Sequence, residues 1–234
     1  MNEIWKEYNE IYKNRKGALV KDGVVSSKDY NGILLFLKEA NQRKVTSPEW
    51  DLAEWLNADD EALNKSLWHR VAEWVYGISN TNKAEIAAFE GTKCLYEGEN
   101  AKEKMREQLK KIAVINVNKA DGTGTPTEEE INGRLENSVK NDKNKKLLKE
   151  QIALANPRII ICGNTYYYLK KLYGLKKVEK KDDWYKGYIV ADLGDNKKVL
   201  IIDTCHPGAH VSAIMSYYGT INIYQQSLKE GWQR

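Results

Sequence analysis

A chain of 234 residues with 41% hydrophobic and 30% charged residues can bury a sizeable core, and that balance suits one large globular domain or two small ones. No apolar run approaches membrane-spanning length, and three scattered cysteines without a C-x-x-C exclude a disulfide framework or a cysteine-ligated cluster. A net charge of +4 only weakly favours a polyanionic partner.

In chain order, "MNEIWKEYNEIYKNR" reads as a charged amphipathic helix without the apolar centre of a signal peptide, which predicts a cytoplasmic protein. "GILLFL" from Gly32 has the continuous apolar character of a strand buried on both faces. Between Asp59 and Tyr76, Leu63, Leu67, Val71, Trp74 and Val75 recur at helical spacing, and a charged helix follows from Glu97 to Leu109. "KIAVINV" from Lys111 is a second buried strand. After the loop "ADGTGTP", Thr127 and Glu130 fit a capping box that opens the helix "TEEEINGRLENSV". The helix "KKLLKEQIALA" runs up to Asn156-Pro157 and the third strand, "RIIICG" from Arg158. The triple tyrosine Tyr166 to Tyr168 opens another helix, where aromatics pack against a sheet more readily than they stack on bases. The lysine-rich stretches "KNDKNKK" and "LKKLYGLKKVEKKDDW" read as solvated helix faces and a surface hairpin. "KVLIIDT" from Lys198 is the fourth strand.

Alternating buried strands and helices predict an α/β fold: a single domain built as a three-layer α/β/α sandwich around a central four-stranded parallel sheet, with a helical insertion at about 45–110. In such sheets ligands bind beyond the carboxyl ends of the strands. Those ends carry Glu39 and Asn41 after the first strand and Asn116, Asn118 and Lys119 at the second. The third ends in "CGNT" and the fourth in "DTCHPGAHVS". A carboxylate, amides able to read an edge with both donors and acceptors, and a histidine thus meet at one edge. No phosphate loop or dinucleotide fingerprint accompanies them. Cys205, His206 and His210 are a poor zinc set, because Pro207-Gly208 prevents a regular helix from presenting the two histidines together.

The order of these motifs resembles the uracil-DNA glycosylase superfamily. "LLFLKEAN" is similar to its first motif, "AVINVNKADG" to the strand ending in a base-reading asparagine, "QIALANPRIIICGNTYYYLKKLYG" to its third strand and flanking helices, and "IIDTCHPGAH" to the strand entering its His-Pro loop. The likeness spans about residues 30–45 and 110–215, and the absence of a cysteine quartet separates it from the iron-sulfur branch. Leu37-Lys38-Glu39-Ala40 lacks the glycine and proline that flank the family's first motif. The resemblance implies cleavage of the N-glycosidic bond of a flipped-out uracil or related damaged base by a monomer acting on single- or double-stranded DNA, without metal or organic cofactor. It implies that Glu39 handles the attacking water and His206 faces the base oxygen. It gives base binding to Asn116, Asn41 and an aromatic such as Trp50, and contact with the nucleic acid to Lys119 and His210. A catalytically silent nucleic-acid-binding module, or hydrolysis of another nucleoside-like substrate, fits the same motifs.

Overall fold

A computed structural model describes residues 2–14, 17–40, 47–121, 126–178, 187–194 and 196–233. Helix α1 (Asn2–Ile11) leads into the short strands β1 (Leu19–Lys21) and β2 (Gly23–Val24) and then β3 (Ile33–Leu37). The insertion holds β4 (Glu49–Asp51), α2 (Leu52–Ala58), α3 (Ser66–Asn80) and α4 (Ala101–Lys110), with 3-10 turns at Ala62–Asn64 and Phe89–Leu95. Strand β5 (Ile112–Asn116) is followed by α5 (Glu128–Lys140), α6 (Asp142–Ala155), β6 (Ile159–Gly163) and α7 (Tyr166–Tyr173). Strands β7 (Gly187–Asp192) and β8 (Lys198–Thr204) precede the long α8 (Ala213–Lys229). Among the described residues no helix is long and apolar enough to cross a membrane.

The main sheet has six strands in the order β2-β5-β3-β6-β8-β7 and is mixed. Its four inner strands are the four apolar runs, all parallel: Leu34 pairs with Ala113 on one side and Ile160 on the other, and Ile161 pairs with Ile202. The expected four-stranded sheet is corrected at both edges, where β2 and β7 pair antiparallel. A separate two-stranded parallel sheet joins β1 and β4.

The pleat explains why the inner strands are apolar throughout. Ile33, Leu35 and Leu37 of β3, with Ile112, Val114, Ile159, Ile161, Leu200 and Ile202, join a core with Val71, Trp74 and Val75 of α3 and Tyr217 and Ile221 of α8. The alternate residues Leu34, Phe36, Ala113, Ile115, Ile160 and Ile201 join Leu135 of α5, Leu148 and Ile152 of α6 and Leu169 of α7. Helices therefore cover both faces of the sheet, as strands with no polar face require. Thr127 caps α5 through the expected box: its Oγ1 accepts from Glu130 N (3.2 Å), and Glu130 Oε2 accepts from Thr127 N (2.7 Å).

Candidate functional site at the strand ends

Pairing between β3 and β5 continues past the strands, with Val117 N donating to Leu37 O and Asn118 N to Lys38 O. That continuation sets Asn118 opposite Glu39. Asn118 Nδ2 donates to Glu39 Oε2 at 3.0 Å. From α5, Arg134 grips the same carboxylate in a fork, Nε to Oε2 at 3.0 Å and Nη2 to Oε1 at 2.6 Å. The Glu39 side chain is 4% exposed and Arg134 37%, so the pair faces solvent through its cation.

Between β3 and β8, the end of β6 ties the rim together. Asn164 takes a left-handed conformation (φ +58°) and donates its N–H to Cys162 O and Thr204 O, both at 2.9 Å. Thr165 Oγ1 donates to Phe36 O at 2.5 Å. Gly163 lets the next loop close: a Cβ there would lie 2.8 Å from Leu37 Cδ2 and 3.0 Å from Pro207 Cδ.

That loop carries His206. Gly208 N donates to His206 Nδ1 at 3.1 Å, and since a backbone N–H only donates, the neutral ring carries its proton on Nε2. Burial, aided by the Lys38 charge, pulls the imidazole pKa down to about 4, so the ring is neutral at physiological pH. Arg70 of α3 braces the loop from outside, with Nη1 donating to Ala209 O at 2.7 Å and Nη2 to Val211 O. Ser212 then caps α8.

Glu39 and His206 thus stand at the ends of β3 and β8 with β6 between them, and Lys38, next to Glu39, acts electrostatically on His206. Two expected partners face elsewhere. Asn116 is 2% exposed, and both its backbone N–H and Nδ2 donate to Asp22 Oδ2, at 2.8 and 3.0 Å. Lys119 has no solvent-exposed side-chain surface. Its Nζ lies 2.6 Å from Asp22 Oδ1 and within 6 Å of the Trp5 and Tyr8 ring centroids, at 5.7 and 5.4 Å. Gln151 Nε2 donates to the same Asp22 oxygen at 2.7 Å. Burial pushes the Lys119 ammonium pKa down, and the Asp22 carboxylate opposes that shift. The structure thus brings Asn116 and Lys119 to Asp22 and not to Glu39 or His206: β2 begins only at Gly23, and the Asp22 carboxylate just before it meets the free edge of β5 at Asn116, drawing both side chains into the interior.

Trp50 sits on β4, half-buried, its ring edge-on to Trp55 at 5.6 Å, and belongs to the two-stranded sheet. His210 is exposed on the Arg70-braced loop, and Ile214 and Met215 are exposed in the first turn of α8 beyond it. Asn41, the loop residues 122–125 and residues 179–186 of the lysine-rich stretch lie outside the described residues. Sequence reasoning missed Arg134, Arg70 and Asp22, whose partners are distant in the chain. Asn118 and Asn164 stand at the strand ends in the sequence, with no local signal of what either one binds. No family model matches the chain, and no curated protein matches it.

Proposed function

We propose that the crevice hydrolyses the N-glycosidic bond of a flipped-out uracil or related damaged base in DNA, within a fold of the uracil-DNA glycosylase type. The observation that carries this reading is the neutral His206 with a proton on Nε2, its tautomer set by Gly208, placed after β8 with only β6 separating it from the end of β3 that Glu39 follows. As the bond breaks, negative charge grows on the departing base and positive charge on the sugar. A neutral imidazole N–H aimed at the base oxygen stabilises the first without having to release a full proton beforehand. Glu39, held by Arg134 and Asn118, orients the water that adds to the anomeric carbon and releases its proton to solvent, while the C–N bond breaks and the base leaves as the anion, to be protonated by solvent. With Asn116 committed to Asp22, the amide that reads the base edge is assigned to Asn164, exposed at the end of the intervening strand. His210, with Ile214 and Met215, holds the distorted duplex.

One observation favours a second reading, a catalytically silent DNA-binding module: both Glu39 oxygens are engaged within the protein. Single-turnover assays for alkali-labile abasic sites on uracil-containing single- and double-stranded oligonucleotides separate the two. The glycosylase reading expects product formation that His206→Ala lowers by roughly 10²–10³-fold. DNA binding without abasic sites would establish the silent module, and wild-type turnover unaffected by His206→Ala would remove the histidine from the chemistry.

A further inference from the structure

The triple tyrosine at the start of α7 does not pack uniformly. Tyr166 and Tyr168 are buried, at 7% and 5%, whereas Tyr167 between them is 52% exposed. Its ring is nonetheless fixed. It lies edge-on to Tyr168 at 5.3 Å between centroids (80°), and Tyr168 is anchored by its hydroxyl donating to Asn132 Oδ1 of α5 at 3.3 Å. The Lys171 ammonium lies 4.4 Å from the Tyr167 ring centroid and reaches Glu136 at 2.8 Å. Tyr167 follows Thr165, whose hydroxyl is bonded to the backbone of β3, so the ring stands close in the chain to the rim of the crevice.

The surroundings are basic. From Glu136 to Val178 the chain carries ten basic and three acidic residues, although the whole protein has a net charge of only +4, so the remainder is net acidic. Lys140, Lys143, Lys146, Lys171, Lys176 and Lys177 are exposed, and Lys149, over the Tyr173 ring at 5.2 Å, joins α6 to α7 in one surface. An exposed ring packed against Tyr168 and Lys171, on a chain segment rich in exposed lysines, suits a strand whose bases stack and whose phosphates need counter-charge. We propose that Tyr167 is a stacking platform, and the α5–α7 lysines a phosphate track, for single-stranded DNA passing beside the strand-end crevice. The choice of DNA rests on the crevice reading above; the stacking and charge argument does not.

Fluorescence anisotropy with a labelled oligothymidylate, the full chain and a salt series tests this without calling on catalysis. Tyr167→Ala should weaken binding roughly 5- to 150-fold, the range for losing one stacked base, while Tyr167→Phe should bind like the wild type. Lys143→Ala/Lys146→Ala, both at exposed positions, should flatten the slope of log affinity against log salt by about 1.4, if each lysine meets one phosphate. No binding of oligothymidylate, binding indifferent to Tyr167→Ala, tighter binding of oligouridylate, or binding only to anionic lipid vesicles would overturn the proposal. Tyr167-dependent binding by a protein that excises no base would uphold it and sink the glycosylase reading alone.

Discussion

Acidification probes the surroundings of His206 directly. Its imidazole has a pKa of about 4, against 6.5 for an unperturbed side chain, because burial strips water from the charged ring and the Lys38 ammonium repels it. The unfolded chain therefore takes up a proton here as pH falls through 6.5, while the folded chain resists until about 4. Folded-state stability must drop across that window. Above it the ring is neutral in both states and adds no slope; below it the loss is complete. The gap between the two values corresponds to about 3–3.5 kcal/mol at most, which is large beside the roughly 5–15 kcal/mol that holds a typical domain together. Denaturant unfolding of the wild type and His206→Gln, followed from about pH 8 to about pH 4, isolates the effect, since carboxylates titrating at the acid end act on both proteins alike. The wild type should lose stability relative to the variant as pH falls, and Lys38→Met should raise the imidazole pKa by removing the repelling charge. A difference curve without slope, or an imidazole resonance titrating near 6.5, would refute the half-buried, neutral assignment.

Two further outcomes test the scaffold. Lys119→Met should cost about 3–5 kcal/mol in denaturant unfolding, because it strands the Asp22 carboxylate in the interior, and Asp22→Asn/Lys119→Met should recover much of that loss. A loss below about 1 kcal/mol accompanied by weaker DNA binding would return Lys119 to the phosphate-contacting role expected from sequence. Gly163→Ala should destabilise by about 1–3 kcal/mol and shift the His206 ring resonances, since the added methyl meets Leu37 and Pro207; unchanged resonances would mean that the loop yields elsewhere.

The inner strands were legible because burial on both faces leaves a continuous apolar run, and such a run says which strands are central. The edges were not. Strand β2 is two residues long, and β7, half-buried or exposed along its whole length, carries only the short apolar stretch Tyr188 to Ala191 between polar segments. Glu39 and His206 could be placed at the rim because each follows a strand directly. The direction of the Asn116 side chain could not be read, because it depends on Asp22, 94 residues earlier, occupying the β5 edge. Arg134 was hidden for the same reason: one arginine in a charged helix gives no sign that it will meet a carboxylate 95 residues away. The lysine stretches read correctly as exposed helix faces within the described residues. Only the contrast between Tyr167 and its buried neighbours gives that surface a candidate ligand.

The Arg134 fork bears on how the proposed reaction would divide its work. A carboxylate offers about four acceptor positions, and three hydrogen bonds, from Arg134 Nε, Arg134 Nη2 and Asn118 Nδ2, already fall on Glu39. The remaining position suffices to align one water. The guanidinium beside it, however, offsets much of the negative charge that a positively charged sugar would feel. Stabilisation on the sugar side is correspondingly weak, and the burden moves to the departing base. There His206 meets the requirement: it is neutral, the Gly208 N–H on Nδ1 leaves Nε2 as its donor, and its loop is braced by Arg70 and seated against a glycine. Donors held in place before charge develops contribute most where water is excluded, and the half-buried His206 ring is partly withdrawn from water, in line with its lowered pKa. The proposed chemistry is therefore driven from the leaving-group end, with Glu39 supplying orientation and His206 the transition-state stabilisation.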